Sequence, residues 1–203
     1  MKLKAATGVI KKVIGVVNPM GCEITSFKVP SELERQHDFL WRIHARVPAR
    51  GTIGVFNRSH YEDVLVVRVN KLAPKTIWSK RYDQINEFER MLSLNNVVML
   101  KFMLHVSRAE QKKRLEERLA DRTKNWKFRS GDLKDRRNWS AFTKAYRDTL
   151  TRCSTPWAPW FVVPADDNDV RNLLVARTIA DTLVSLDLHY PKPEQGARKL
   201  RIE

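Results

Sequence analysis

The sequence predicts a three-layer α/β fold with a mainly parallel sheet. Three observations carry that expectation: short apolar or β-branched runs, helix-start signatures after them, and regular alternation of the two without internal repeats. Glu23-Ile24-Thr25-Ser26-Phe27 reads as a short strand. Ser31 with Glu34 three residues on makes a capping box, so a helix is expected from there towards Pro48. Arg50-Gly51 then turns the chain into Thr52-Ile53-Gly54-Val55-Phe56, a buried strand. After Ser79, the spacing of Tyr82, Ile85, Phe88 and Leu92 covers one face of a helix. The run from Val97 to Leu104, interrupted by Lys101, reads as a central parallel strand. Ser107 and Glu110 form a second capping box and open a helix to about Ala120. Residues 122–138 are densely charged and read as a surface segment, and a helix from about Ser140 to Thr151 follows. Trp160-Phe161-Val162-Val163 is the last strand, and Asp169 is expected to cap a closing helix to about Leu188. The expectation is one domain over residues 1–190 and a polar tail over 191–203.

The chain has 203 residues, 42 % apolar and 30 % charged, enough for one continuous core. Its longest apolar run is far too short to cross a bilayer, and no h-region follows the first residues, so a cytoplasmic protein is the simplest expectation. Two cysteines, Cys22 and Cys153, make neither a disulfide framework nor a metal site and are expected to be small buried or half-buried thiols. The net charge of +15 implies polyanions nearby: nucleic acid, nucleotide, lipid or polyphosphate, with plain solubility as the bland alternative. No segment pairs a basic helical face with a wide aromatic one, which argues against a membrane surface.

In parallel sheets ligands bind outside the carboxyl ends of the strands. After the second strand come Asn57-Arg58-Ser59-His60-Tyr61-Glu62-Asp63, a polar cluster where nucleotide-binding enzymes place a Mg²⁺- or nucleophile-positioning carboxylate. The alternative is a capped turn, but the run is longer than capping needs. After the third strand, Arg114 and Arg118 lie four apart on one helical face, a fork for phosphate oxygens, with Leu115 and Leu119 on the inward side. Glu110, Glu116 and Glu117 could instead pair with these arginines in a solvated network. From Trp126 to Trp139, cations are interleaved with aromatics, and Gly131 offers a hinge. Such a segment could close over an anion as a lid, or stack bases and hold phosphates of a nucleic acid.

The segments Asp38-Phe39-Leu40-Trp41-Arg42-Ile43-His44, Phe56 to Val69, Trp126 to Trp139, and Ser154-Thr155 with Ala158-Pro159-Trp160 together resemble the polyphosphate kinase 2 family, over residues 8–193 or so. His60 and Glu62-Asp63, where another class has Trp-Tyr-Asn-Arg, resemble the class acting on nucleoside mono- and diphosphates. The resemblance implies a P-loop kinase-like fold with a helical lid at about residues 122–139. It also implies a phosphotransferase that moves phosphoryl groups between inorganic polyphosphate and AMP/ADP (or GMP/GDP) with Mg²⁺, and a homo-oligomer. By matching motif, Asn57, Arg58, Glu62, Asp63, Arg114 and Arg118 are the implied catalytic set, and Glu62 and Asp63 the metal-side carboxylates. Lys127, Arg129, Asp132 and Arg136 resemble the lid that grips polyphosphate, and Asp38, Arg42 and Gly8 the nucleotide side.

Two departures stand out. Family members carry a Walker-type loop, Asp then Gly-Lys-Asp-Gly, where this chain has Lys2-Leu3-Lys4-Ala5-Ala6-Thr7-Gly8: Ala6 replaces the phosphate lysine and Thr7 the aspartate. The preceding strand has no counterpart, so the expectation is an N-terminally truncated member. Asp166-Asp167-Asn168-Asp169 also replaces a stretch that usually carries lysine and an aromatic. The alternatives are a catalytically impaired remnant that binds polyanions without turnover, and, less favoured, a nucleic-acid-binding protein.

Overall fold

The computed structural model describes residues 5–123, 125–128 and 130–192. The first helix, α1 (Ala5–Lys12), buries Val9, and Val13 just beyond it is buried too. β1 (Cys22–Ser26) follows. Ser31 caps α2 (Glu32–Arg35) with both arms of the expected capping box, but the single helix towards Pro48 is broken. Asp38 Oδ1 accepts the backbone N–H groups of Leu40 and Trp41 at 2.8 and 3.1 Å, a local turn that starts a separate short helix, α3 (Trp41–His44).

β2 (Ile53–Asn57) runs parallel to β1, with Cys22 opposite Ile53 and Ser26 opposite Asn57. Gly54 is required here, because a Cβ would lie 2.7 Å from Pro48 Cγ. A proline ring has no rotamer to escape into, so Gly54→Ala is expected to cost about 1–3 kcal/mol by overpacking. Urea unfolding should show a lower midpoint at unchanged slope, and an unchanged midpoint would contradict the clash.

Next come α4 (Glu62–Val69), α5 (Lys75–Trp78) and α6 (Arg81–Leu94). Tyr82, Ile85, Phe88 and Leu92 form the buried face of α6 as the spacing predicts, and Glu89 is buried among them. The expected strand from Val97 begins late, as β3 (Lys101–His105). The end of α6 takes up the difference. Asn96 adopts a left-handed φ of 64°, the Val97 N–H returns to the Leu92 carbonyl at 3.1 Å, and Val97 and Met99 pack on Phe88 and Leu92.

In α7 (Arg108–Ala120) Ser107 Oγ accepts the Glu110 N–H at 3.1 Å. The Ser107 N–H donates instead to Asp166 Oδ1 at 2.7 Å, and Glu110 pairs with Arg114. Leu115 is buried, but Leu119 is 51 % exposed rather than inward. Steps of four residues drift around a 3.6-residue helix, so the buried row of Gln111 and Leu115 does not reach Leu119. The charged surface segment contains a helix, α8 (Ser130–Arg137), and α9 (Trp139–Cys153) follows it. β4 (Trp160–Pro164) lies parallel to β3, and α10 (Asn168–Ser185) closes the domain. Its cap is Asp167 rather than Asp169: Asp167 Oδ1 accepts the N–H groups of Asp169 and Val170 at 2.8 and 3.0 Å.

Side chains alternate across β3 and β4, as a strand period of two demands. Phe102, Leu104, Phe161 and Val163 pack on α1 and α10 through Val9, Val13 and Val175. On the other face, Lys101 meets Glu89 of α6, and Met103 and Val162 line a cavity together with residues of α9. The strands form two parallel pairs, β1–β2 and β3–β4, and no ladder joins β2 to β3 among the described residues. Helix α6 bridges the pairs. Phe88 and Leu92 pack with Phe27 and Phe56, while Tyr82 and Ile85 pack with Cys153 and Trp160. Cys153 is buried and Cys22 half-buried, as expected.

Candidate active site

The carboxyl end of β2 is anchored first. Asn57 Nδ2 donates to Ser26 Oγ at 3.3 Å, and the Asn57 carbonyl accepts the Phe27 N–H. Arg58 then takes a left-handed φ of 67°, a strained value for a side chain of that size, which reverses the chain into α4. Glu62 and Asp63 occupy the first turn of that helix, where carboxylates are favoured by the helix dipole.

These two carboxylates go different ways, since adjacent helical residues do not face each other. Asp63 Oδ1 is 2.8 Å from Arg81 Nη1, and the Arg81 guanidinium lies over Phe39. Both belong to a cavity of about 190 Å³ lined by Glu34, His37, Phe39, Arg42, Asp63 and Arg81. Burial pushes the Asp63 carboxyl above its ordinary value against the opposing charges of Arg81, Arg42 and His60. Arg42 is itself buried. It donates to the Lys28 carbonyl at 2.9 Å, pairs with Glu34 at 3.5 Å and covers the Phe27 ring. Asp38 lies at the start of α3 with its carboxylate turned to the backbone, as described above.

The charge of Glu62 acts on Tyr146 of α9. Burial raises the Tyr146 hydroxyl's pKa, the charges of Glu62 and Asp135 raise it further, and Arg58 opposes them. Tyr146 also lines a second cavity, of about 370 Å³, with Met103, His105, Trp139, Arg147 and Val162. The predicted carboxylate pair is therefore split between two neighbouring environments.

Two of the predicted cations, Arg118 and Arg136, tie α8 to α7. Arg118 Nη1 lies 3.4 Å from Asp132 Oδ2, and Arg136 Nη1 donates to the Arg108 carbonyl at 2.8 Å and to Gln111 Oε1 at 3.0 Å. Arg114 sits one turn before Arg118 with different partners: Glu110 at 2.6 Å and the Ala165 and Asp166 carbonyls at 2.9 and 2.7 Å. Arg129, the side chain of Lys127 and the stretch Lys2–Lys4 lie outside the described residues. Gly8 is in α1, where a Cβ would stand 3.1 Å from Arg171 Nη2. Arg171 is buried and held by Asn168 and Asn172. Burial and the nearby Arg114 charge pull its pKa below the ordinary value. Sequence reasoning missed Arg171, although it lies just beyond the Asp166–Asp169 departure, after Val170.

It also missed a buried polar cluster beneath the site. Glu89 of α6 is fully buried and lies 2.6 Å from Lys101 Nζ. The Tyr61 hydroxyl donates to Glu89 Oε1 at 2.8 Å, and His60 Nε2 is 3.2 Å from the same oxygen. Lys101 donates further to the Tyr61 hydroxyl at 2.8 Å and to the Cys153 carbonyl at 2.7 Å. The one sequence signal was Lys101 interrupting an apolar run.

Comparison with known proteins identifies the family and the fold. The polyphosphate kinase 2 family profile matches residues 4–190. An AMP/ADP-polyphosphate phosphotransferase of Meiothermus ruber is 50 % identical over 196 residues, 97 % of this chain and 73 % of the relative. An ADP-polyphosphate phosphotransferase of Rhodopseudomonas palustris is 44 % identical over 204 residues, 95 % of this chain and 71 % of that one. The crystal structure of polyphosphate kinase 2 from Arthrobacter aurescens superposes with a TM-score of 0.93 at 42 % identity, covering 96 % of this chain and 69 % of the other. With the profile spanning nearly the whole domain and a solved member matching its fold, the chain belongs to the polyphosphate kinase 2 family.

Proposed function

We propose that the chain is a polyphosphate-dependent nucleotide phosphotransferase, moving a terminal phosphoryl group between inorganic polyphosphate and AMP or ADP. The observation that carries this reading is the β2–α4 corner, where Arg58, Glu62 and Asp63 follow the carboxyl end of a parallel strand. The name of the Meiothermus ruber relative supports the choice of substrates. In the forward direction a phosphate oxygen of the nucleotide attacks the terminal phosphorus of polyphosphate. The P–O bridge to the next phosphate breaks, and the shortened chain leaves with the bonding electrons and its negative charge. Such transfer depends on positioning and charge neutralisation rather than on covalent catalysis.

The cavity beside Asp63, with the Phe39 ring and the Arg42 and Arg81 guanidiniums, suits an acceptor nucleotide. Arg114, Arg118 and Arg136, with the lid, suit the polyanion, in keeping with the net charge of +15. The donor chemistry of the corner fits Mg²⁺, which takes one or two carboxylates and completes its shell with phosphate oxygens and water. Glu62 would hold it, and the ion would neutralise charge on the transferring phosphate. The apolar residues Val170, Leu173 and Leu174 exposed on α10 support a homo-oligomer. Among the described residues no helix is long and apolar enough to cross a membrane, in keeping with work in the cytoplasm. The test is to incubate the purified chain with polyphosphate, Mg²⁺ and AMP or ADP and to follow ADP and ATP by chromatography. Product above a no-enzyme background is expected, and none would overturn the reading.

A further inference from the structure

We infer that the buried Glu89–Lys101 pair positions the catalytic corner, acting through His60 and Tyr61 on Arg58, Glu62 and Asp63. The inference rests on the proposed phosphoryl transfer and adds two residues to it that touch no substrate. Burying two charges costs several kcal/mol per ion, and a buried pair often adds no more stability than apolar side chains of the same size. The pair therefore calls for an explanation other than stability.

Its hydrogen bonds supply one. The three N–H donors of Lys101 are all used, on Glu89 Oε2, the Tyr61 hydroxyl and the Cys153 carbonyl. Glu89 takes the Tyr61 hydroxyl and faces His60 Nε2, so it grips two consecutive residues of one segment. The other His60 nitrogen, Nδ1, is buried without a hydrogen-bond partner among the described residues, which leaves Glu89 as the ring's polar anchor there. The lysine comes from the first residue of β3 and the glutamate from α6, so the cluster ties the corner to both.

The gripped residues have leverage. His60 and Tyr61 lie between the strained Arg58 and the two carboxylates. The Ser59 and His60 carbonyls accept the N–H groups of Glu62 and Asp63, each at 3.1 Å. A left-handed arginine persists only where its surroundings over-determine it. Loosening His60 and Tyr61 would let the turn relax and rotate the first turn of α4, and with it both carboxylates. A misplacement of about 1 Å is enough to cost a phosphoryl-transfer site roughly 100-fold in rate.

The test is Glu89→Gln, which keeps the shape and removes the charge. Measured well below the melting temperature, kcat is expected to fall by about 10- to 100-fold, while KM for nucleotide and for polyphosphate stays within about threefold. Hydrogen exchange of backbone amides over residues 57–65 should speed up while that of α10 stays unchanged. Wild-type kcat in the folded variant, or exchange that rises uniformly along the chain, would reduce the pair to a structural role and overturn the inference. Should Glu89→Gln fail to fold, Tyr61→Phe removes one hydroxyl and leaves the charge pair intact. It is expected to lose several-fold in kcat with the same local exchange signature, and no change in either would overturn the inference. Absence of turnover in the wild-type chain would sink the proposed activity instead, and the exchange measurement would still decide this inference.

Discussion

Lys101→Met is expected to lower the free energy of unfolding at pH 8 by about 3–5 kcal/mol, because it leaves the fully buried Glu89 carboxylate without its counter-charge. In the intact protein burial pushes the Glu89 carboxyl up, but the hydrogen bond from His60 and the charge of Lys101 outweigh it and hold the group below the ordinary carboxylate value. Burial pulls Lys101 below its own ordinary value, with Glu89 opposing. A carboxyl lowered by folding adds stability above its unfolded pKa, and that stability is lost as pH falls through the folded value. Without Lys101 the burial effect has less to oppose it, so the carboxyl moves up and the neutral acid becomes the cheaper form to bury. The stability gap between variant and wild type should therefore narrow as pH falls from 8 towards 5. Urea unfolding at several pH values reads it. A gap under about 1 kcal/mol at pH 8, or one that widens on acidification, would show that the pair is not the buried ionic unit described.

Much of the fold is written in local patterns. Ser31 with Glu34, and Ser107 ahead of Glu110, mark true helix starts, and the Tyr82-Ile85-Phe88-Leu92 spacing marks the buried face of α6. In two places the reading failed because a side chain had reached for the backbone. Asp38 breaks what looks like one helix into two, and Asp167 takes the cap that Asp169 seemed to own. The pairing of strands into two couples was not legible, since which strand lies beside which is set by long-range contacts such as those of α6. The polar run over residues 57–63 stood out because it exceeds what capping needs, although β2 before it is half-buried, with Gly54 exposed, rather than the buried strand expected. Glu89 was not, because a lone acidic residue in an amphipathic helix reads as surface until Lys101, twelve residues on, is folded against it. Arg171 was hidden the same way, its guanidinium placed only by the packing of α10 under Gly8.

The divergence of Glu62 and Asp63 leads to the other large effect. If the two carboxylates shared one metal ion, removing either charge would damage the same step. Their neighbours differ: Asp63 is bound to Arg81 at the cavity that also holds Arg42 and Phe39, whereas the charge of Glu62 acts on the Tyr146 hydroxyl. Glu62→Gln is accordingly expected to lower kcat by about 100- to 1,000-fold, the scale of losing one preorganised electrostatic group, with KM for the nucleotide little changed. The Mg²⁺ concentration giving half-maximal rate should rise in this variant. Asp63→Asn frees Arg81 and reshapes the cavity, so its expected signature is a raised nucleotide KM with a smaller loss of kcat and an unaltered Mg²⁺ requirement. Steady-state kinetics with nucleotide, polyphosphate and Mg²⁺ varied in turn separates the two. Equal losses of kcat and equal shifts in Mg²⁺ dependence would mean that the carboxylates converge on one ion in the working enzyme, and that Arg81 lets go of Asp63 when substrate binds.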